Sequence, residues 1–328
     1  LRFWPLVKVK APIVHVMYSD GQKFGQLKAV KFYVSWSALL KKSTSIDSIN
    51  AKKMIIRISS DNKYLQDLIN KTNEIEFSAR PNLRIKDYSI SYNDLEKNNK
   101  YVFSGKDLKL DKIISAKNYK VSTIGDFSIN GNKHISIDLS LTPLFEFNQT
   151  YSLEDTIKYF EKIKDLDFYA NIIAALKLYK NNDEQIMSSG FVNVDNISVL
   201  DKDKKVQKSY IYLTLLGDKA SILSNIYTSY NKNVYIEGKI TNSKKANIDL
   251  KVKAEEIALE DLYPKLRFFM DMSKLKNIES LKGKLNANFV LKGDINKIKS
   301  SGYLKLKDAS IKADNLLVEN INSNIDFQ

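Results

Sequence analysis

The chain has 328 residues, of which 43% are hydrophobic, and a net charge of +14 from 52 Lys+Arg against 38 Asp+Glu. No stretch reaches the ~20 consecutive apolar residues that a membrane-spanning helix needs, and the absence of cysteine excludes disulfides, thiolate metal sites and cysteine nucleophiles. The basic residues sit mostly at alternate positions of strand-like segments and do not cluster, the pattern of a solvated face.

In chain order, Val7–Val16 reads as a strand, with His15 inside it as a structural imidazole. Short turns are expected at Ser37–Lys42 and Lys63–Lys71. Ile135, Ile137, Leu139 and Leu141 alternate with Ser136, Asp138 and Ser140, which predicts a half-buried strand because successive side chains point to opposite faces. Ser152–Asp155 has the form of a helix cap. It leads into Leu153, Ile157, Phe160 and Ile163 at helical spacing, so a helix is expected to end near Lys164. Asp201–Lys205 reads as a solvated hairpin tip.

Alternation returns at Ile211–Leu213–Leu215 and at Ile248–Leu250–Val252–Ala254. After Ala254 the apolar parity flips across Glu255–Glu256 and resumes at Ile257. One extra residue does this to a strand, so a β-bulge or sharp bend is predicted there. A second helix is expected over about 259–275, with Leu262, Leu266 and Phe269 on one side and Pro264 near its first turn or dividing it. Leu281, Leu285, Ala287, Phe289 and Leu291 then oppose Lys282, Lys284, Asn286, Asn288 and Lys292. Leu304–Leu306 is followed by a second flip across Lys307–Asp308, and the pattern resumes at Ala309–Ile311–Ala313. Gly125, Gly190, Gly238, Gly283 and Gly302 each open an alternating run, a degenerate repeat without strict period. One-sided alternation argues for antiparallel sheet with one wet face. The organisation is read as an N-terminal β region over 1–150, a helical connector over 151–166, and a C-terminal β-repeat region over 167–328 that continues beyond the fragment. Leu1 in place of Met, and a strand-like pattern still running at Gln328, read as an excerpt of a longer protein.

The search for chemistry returns little. His15 and His134 have no neighbours at a metal-ligand spacing. Of the carboxylate pairs, Glu154–Asp155 is explained by helix capping, Glu255–Glu256 by the parity flip and Asp201–Asp203 by the hairpin tip. Asp201–Asp203 also lacks the glycine and distal glutamate of a calcium loop. Asp165–Asp167 is the fourth pair. None shows the two differing environments that acid–base catalysis uses. Phosphate-binding loops, nucleophile elbows and dinucleotide fingerprints are absent. Phe289 shares its side with leucines while the lysines point away, which separates the aromatic and basic groups that nucleic acid would need together. The reading is a non-enzyme without cofactor, metal or nucleic-acid partner. What remains is the apolar face itself. It fits the core of a β-sandwich, the default, or an open groove able to take an acyl chain, and periodicity does not separate the two.

Pro12–Gly21, Phe32–Leu40 and Ser48–Arg57 resemble the N-terminal region of AsmA-like proteins, the group that includes AsmA, TamB and YhdP. In that group a strand ending in an acidic-Gly turn precedes a strand, a short turn with paired leucines and a further strand. Leu83–Asp94 resembles the element that follows, with Asp87 departing from the small residue that element has, and Gly283–Phe327 resembles the family's glycine-opened repeat. The family's inner-membrane helix and distal C-terminal domain are not among these residues. The resemblance implies a mainly β protein: an elongated twisted antiparallel sheet curled into an open apolar groove, β-taco-like, with a few short helices. It implies a place in the periplasm of a Gram-negative cell, tethered to the inner membrane by a helix upstream of Leu1. The implied activity is bridge-like transport of phospholipid between inner and outer membranes. Acyl chains would lie against Ile135, Ile137, Leu139, Ile248, Leu250, Val252, Leu285, Phe289, Leu291, Leu304 and Leu306, each of which also has a core reading. The alternative is a non-enzymatic scaffold for outer-membrane protein assembly or envelope integrity, with outer-membrane barrel proteins as partners.

Overall fold

A computed structural model describes residues 6–18, 20–35, 46–60, 80–145, 168–199, 208–229, 232–241, 247–263, 278–294, 297–314 and 316–327. The period-two pattern becomes sixteen strands. The first eight are β1 (Leu6–Met17), β2 (Lys23–Ser35), β3 (Ser48–Ser59), β4 (Asn82–Asp94), β5 (Asn99–Ile113), β6 (Asn118–Ile129), β7 (Asn132–Pro143) and β8 (Phe168–Lys180). They are followed by β9 (Ile186–Val199), β10 (Ser209–Gly217), β11 (Lys219–Ser229), β12 (Lys232–Thr241), β13 (Asn247–Ala258), β14 (Ile278–Asp294), β15 (Lys299–Ala313) and β16 (Leu316–Phe327). In the sheet they neighbour one another in chain order, and the sheet is not closed into a barrel. A chain of consecutive antiparallel neighbours is what one-sided alternation predicts, and β9 to β16 pair this way throughout.

The β3–β4 pair departs from the expected antiparallel sheet. β3 and β4 run parallel, Ile49 against Leu83 and Met54 against Tyr88. A parallel neighbour requires a crossover between the strands, not a hairpin. Side-chain alternation is blind to strand direction, so the pattern could not reveal this. The helix expected over 152–164, the turns at 37–42 and 63–71 and the hairpin tip at 201–205 lie outside the described residues. Of the second expected helix, 259–263 is helical and the remainder lies outside them. The five glycines expected to open runs lie inside strands instead.

The chain divides into two compact units: Leu1–Lys158 with Ile172–Met187, and Tyr159–Asn171 with Ser188–Gln328. The first has a closed cluster in which Val30, Ala51, Met54, Ile85 and Tyr88 are all buried. Tyr88 reaches across β5 to β6. Its hydroxyl accepts a 2.7 Å hydrogen bond from Thr123 and lies where a Cβ on Gly125 would stand, 2.3 Å away. Glycine here is a close-approach residue that lets the ring cover the strand. Burial pushes the Tyr88 phenol above its ordinary pKa against the lowering effect of the Thr123 bond.

The second unit carries the two predicted bulges, and they are built alike. Glu255 and Glu256 together face Asn286, between the pairs Ala254↔Ala287 and Ile257↔Leu285. Lys307 and Asp308 together face Asn322, between Leu306↔Ser323 and Ala309↔Ile321. Glu256 (φ 48) and Asp308 (φ 50) take the left-handed conformation. In each bulge the amide of that residue donates to the opposing asparagine: Glu256 N to Asn286 Oδ1 at 2.8 Å, Asp308 N to Asn322 Oδ1 at 3.0 Å. The residue after each bulge is buried to the limit, Ile257 at 0% and Ala309 at 1% exposed. The extra residue thus returns the apolar phase to the same face. Asn286→Ala is expected to cost about 1 kcal/mol in urea unfolding of this unit, the worth of one such hydrogen bond, while Asn286→Asp, which keeps the acceptor, costs less.

Candidate functional site: the apolar face of the second unit

Register in β9–β16 lines apolar side chains up in rows across the strands. Val192, Leu213, Ile222, Gly238, Leu250, Leu291 and Ser300 form one row. Val194, Ile211, Ser224, Ile236, Val252, Phe289, Gly302 and Phe327 form the next. Val234, Ala254, Ala287, Leu304 and Ile325 form a third. Phe289 and Phe327 meet edge to face over Gly302, with ring centroids 5.9 Å apart. A strand glycine flanked by aromatic side chains keeps the face apolar where a side chain is missing.

Eight of the eleven residues singled out in the sequence lie together here: Ile248, Leu250, Val252, Leu285, Phe289, Leu291, Leu304 and Leu306, on adjacent strands β13, β14 and β15. Ile135, Ile137 and Leu139 lie on β7 in the other unit, opposite Phe127, Gly125 and Thr123. All eleven are half-buried. Each is covered by its neighbours in the sheet yet keeps contact with solvent, unlike Ile257, Ala254, Ala287 and Leu262. Those four form a closed cluster where the helical turn at 259–263 meets the face. The face is therefore covered at that row and half-exposed along the rows of Leu250 and Val252.

Residues that alternation missed include Ile222 and Ile236. Their strands put Ser224 and Gly238 into the apolar phase and so break the visible pattern.

The opposite face is richer in polar groups, some of them ion-paired, and it also carries the exposed side chains of Phe191, Leu216 and Leu223. Lys251 meets Glu237 at 3.7 Å and Lys292 meets Asp249 at 3.5 Å. Such exposed pairs are worth ~0–1 kcal/mol each and serve solubility more than stability. Tyr210 and Tyr212 stack with ring centroids 4.6 Å apart. Tyr212 donates to Asp195 at 2.6 Å, and that bond, with some burial, pushes the Tyr212 phenol up to about 12. Lysine and tyrosine concentrate on this side, and the register-aligned aliphatic rows lie on the other.

His15 is exposed on β1, and His134 is buried on β7 beside the register shift opposite Phe127 and Ser128. Among the described residues no group of three or more His, Asp or Glu side chains is placed to hold a metal ion, and no helix is long and apolar enough to cross a membrane.

No family model, no curated protein and no solved structure matches this chain.

Proposed function

We propose that this chain is a non-enzymatic lipid carrier of the bacterial envelope, its apolar face forming a groove along which phospholipid acyl chains pass between inner and outer membranes through the periplasm. The observation that carries the reading is the half-burial of Leu250, Val252, Phe289 and Leu291 in register-aligned rows. Aliphatic side chains that touch one another laterally and still reach solvent form a surface a greasy molecule can enter. Each methylene transferred onto it gains roughly 0.8 kcal/mol, so lipid can be held and handed along without covalent chemistry. Headgroups would stay at the wet margin. The resemblance of the sequence over Gly283–Phe327 to AsmA-like proteins supports the same reading, and with it a position tethered to the inner membrane.

The reading is tested by native mass spectrometry of the chain purified without detergent from a double-membraned host. Retained phospholipid is expected on the parent protein and is expected to fall at least tenfold on Leu250→Asp combined with Leu291→Asp. Lipid-free parent protein, or equal retention by the variant, would remove the basis for transport.

A further inference from the structure

On the side of the sheet opposite the apolar rows, β9 and β10 differ from the strands that follow. Both have a neighbouring strand on each side. β9 presents Ser189, Phe191, Asn193 and Asp195 there, and β10 presents Leu216, Thr214, Tyr212 and Tyr210, all within the second unit. Register sets Ser189 beside Leu216, Phe191 beside Thr214 and Asn193 beside Tyr212. Each apolar or aromatic side chain thus has a polar one across the ladder. The strip holds no lysine or arginine, and Asp195 is its one charged residue. Further along the same side, on β12 to β14, lysines return, with Lys251 against Glu237 and Lys292 against Asp249.

Phe191 and Leu216 are 37 and 72% exposed although their strands are paired on both sides. They border a shallow cleft of about 550 Å³ that Ser189, Asn193 and Thr214 also line. The Asn193 amide and the Thr214 hydroxyl hold no side-chain hydrogen bond among the described residues. An amide offers two donors and a carbonyl acceptor, and a hydroxyl offers one donor and two lone pairs, so the cleft is rich in unused hydrogen-bonding capacity. The rings beside it are held in place. Tyr212 donates to Asp195 at 2.6 Å, Asn225 Nδ2 donates to the Tyr210 hydroxyl at 2.6 Å, and the two rings stack. Aromatic groups fixed in this way lose little freedom when a ligand lies against them.

This composition selects the occupant. A polyanion meets no cation on the strip, and a polycation meets one carboxylate that a tyrosine already engages. An acyl chain would take water from the Asn193 amide and the Thr214 hydroxyl and give no hydrogen bond in return. An uncharged sugar chain satisfies both kinds of group. The axial C–H bonds of a pyranose with equatorial substituents form an apolar face that lies on aromatic rings, and its hydroxyls both donate and accept. Side chains on one side of a strand recur about every 6.7 Å, so a flat, extended chain of such rings meets the strip repeatedly. We infer that Phe191, Asn193, Asp195, Thr214, Tyr212 and Tyr210 form a binding site for an uncharged, β-linked oligosaccharide of gluco-configured pyranose units. This inference does not rest on the lipid reading, which concerns the other side of the sheet.

The test titrates the full chain with cellohexaose and with chitohexaose by isothermal titration calorimetry and saturation-transfer-difference NMR. Saturable binding of at least one sugar is expected, with the strongest transfer to its axial C–H protons and the same affinity at low and high salt. Phe191→Ala combined with Asn193→Ala is expected to bind at least tenfold more weakly with an unchanged circular dichroism spectrum. Thr214→Val removes a hydroxyl and keeps the side-chain shape. It is expected to bind at least threefold more weakly, which keeps the test decisive if the double variant does not fold. Lys292→Ala, on the same side but outside the strip, is expected to bind like the parent. Failure of both sugars to bind, equal binding by the strip variants, loss of binding in Lys292→Ala, or an affinity that falls as salt rises would overturn the assignment. A proline-rich peptide that binds the parent where neither sugar does would give the strip to a protein partner and would equally overturn it.

Discussion

Ile257→Asp is expected to unfold the second unit, and Leu291→Asp is not. Ile257 is 0% exposed and packs with Ala254, Leu262 and Ala287. Replacing it deletes a fully buried aliphatic side chain and buries a carboxylate with no partner, together more than about 4 kcal/mol. Leu291 has the same strand phase and pairs with Leu250, but is only half-buried. An aspartate there can turn to water, and the expected cost is about 1–2 kcal/mol. Urea titrations of the two variants followed by far-UV circular dichroism make the comparison. Equal and severe losses would mean that Leu291 lies in a sealed core, and that the face offers nothing to a ligand.

Gly238→Val is expected to be the other severe substitution. Gly238 has φ +152, and a Cβ built on it would stand 2.0 Å from the carbonyl oxygen of Asp249 and 2.8 Å from the Cα of Leu250. Those atoms are backbone of the neighbouring strand, so relief requires β12 and β13 to separate. Backbone strain at such a position costs about 1–3 kcal/mol before the clash is counted, and the strand pairing lost with it brings the total to at least about 4 kcal/mol. Ile236→Val on the same strand removes one methyl group and is expected to cost about 1 kcal/mol. A Gly238→Val protein as stable as Ile236→Val would show that β12 does not approach β13 this closely.

Much of this architecture is legible in the amino-acid sequence, for definite reasons. Alternation fixes which side chains share a face, and an inserted residue shows as a change of parity, so the bulges at Glu256 and Asp308 can be read directly. The equivalent bulge at Asn196, which faces Tyr210 together with Asp195, leaves the same change of parity, from Val192 and Val194 to Ile197 and Val199, a signal missed among the expectations. The parallel β3–β4 pair leaves no trace, since strand direction does not change side-chain parity. Alternation also says nothing of what covers a face. Ile257 and Leu291 look equivalent along the chain, yet the helical turn at 259–263 closes over one and not the other. That difference arises from tertiary contacts between segments, and it decides whether the face is a core or a surface for a ligand. The glycines mislead in the same way. In the sequence they resemble openings of runs, whereas Gly125 and Gly238 are interior positions where another side chain or strand approaches too closely for a Cβ.

In the cell a non-protein molecule is expected to reach the apolar rows. Site-specific photo-crosslinkers placed at Leu291 and Phe289, in the rows of Leu250 and Val252, test this, with Lys292 and Asn288 on the polar face as controls. Phospholipid adducts at Leu291 and Phe289, and none at the two controls, are the predicted result. Adducts to protein alone at all four positions would contradict it and leave only an assembly scaffold.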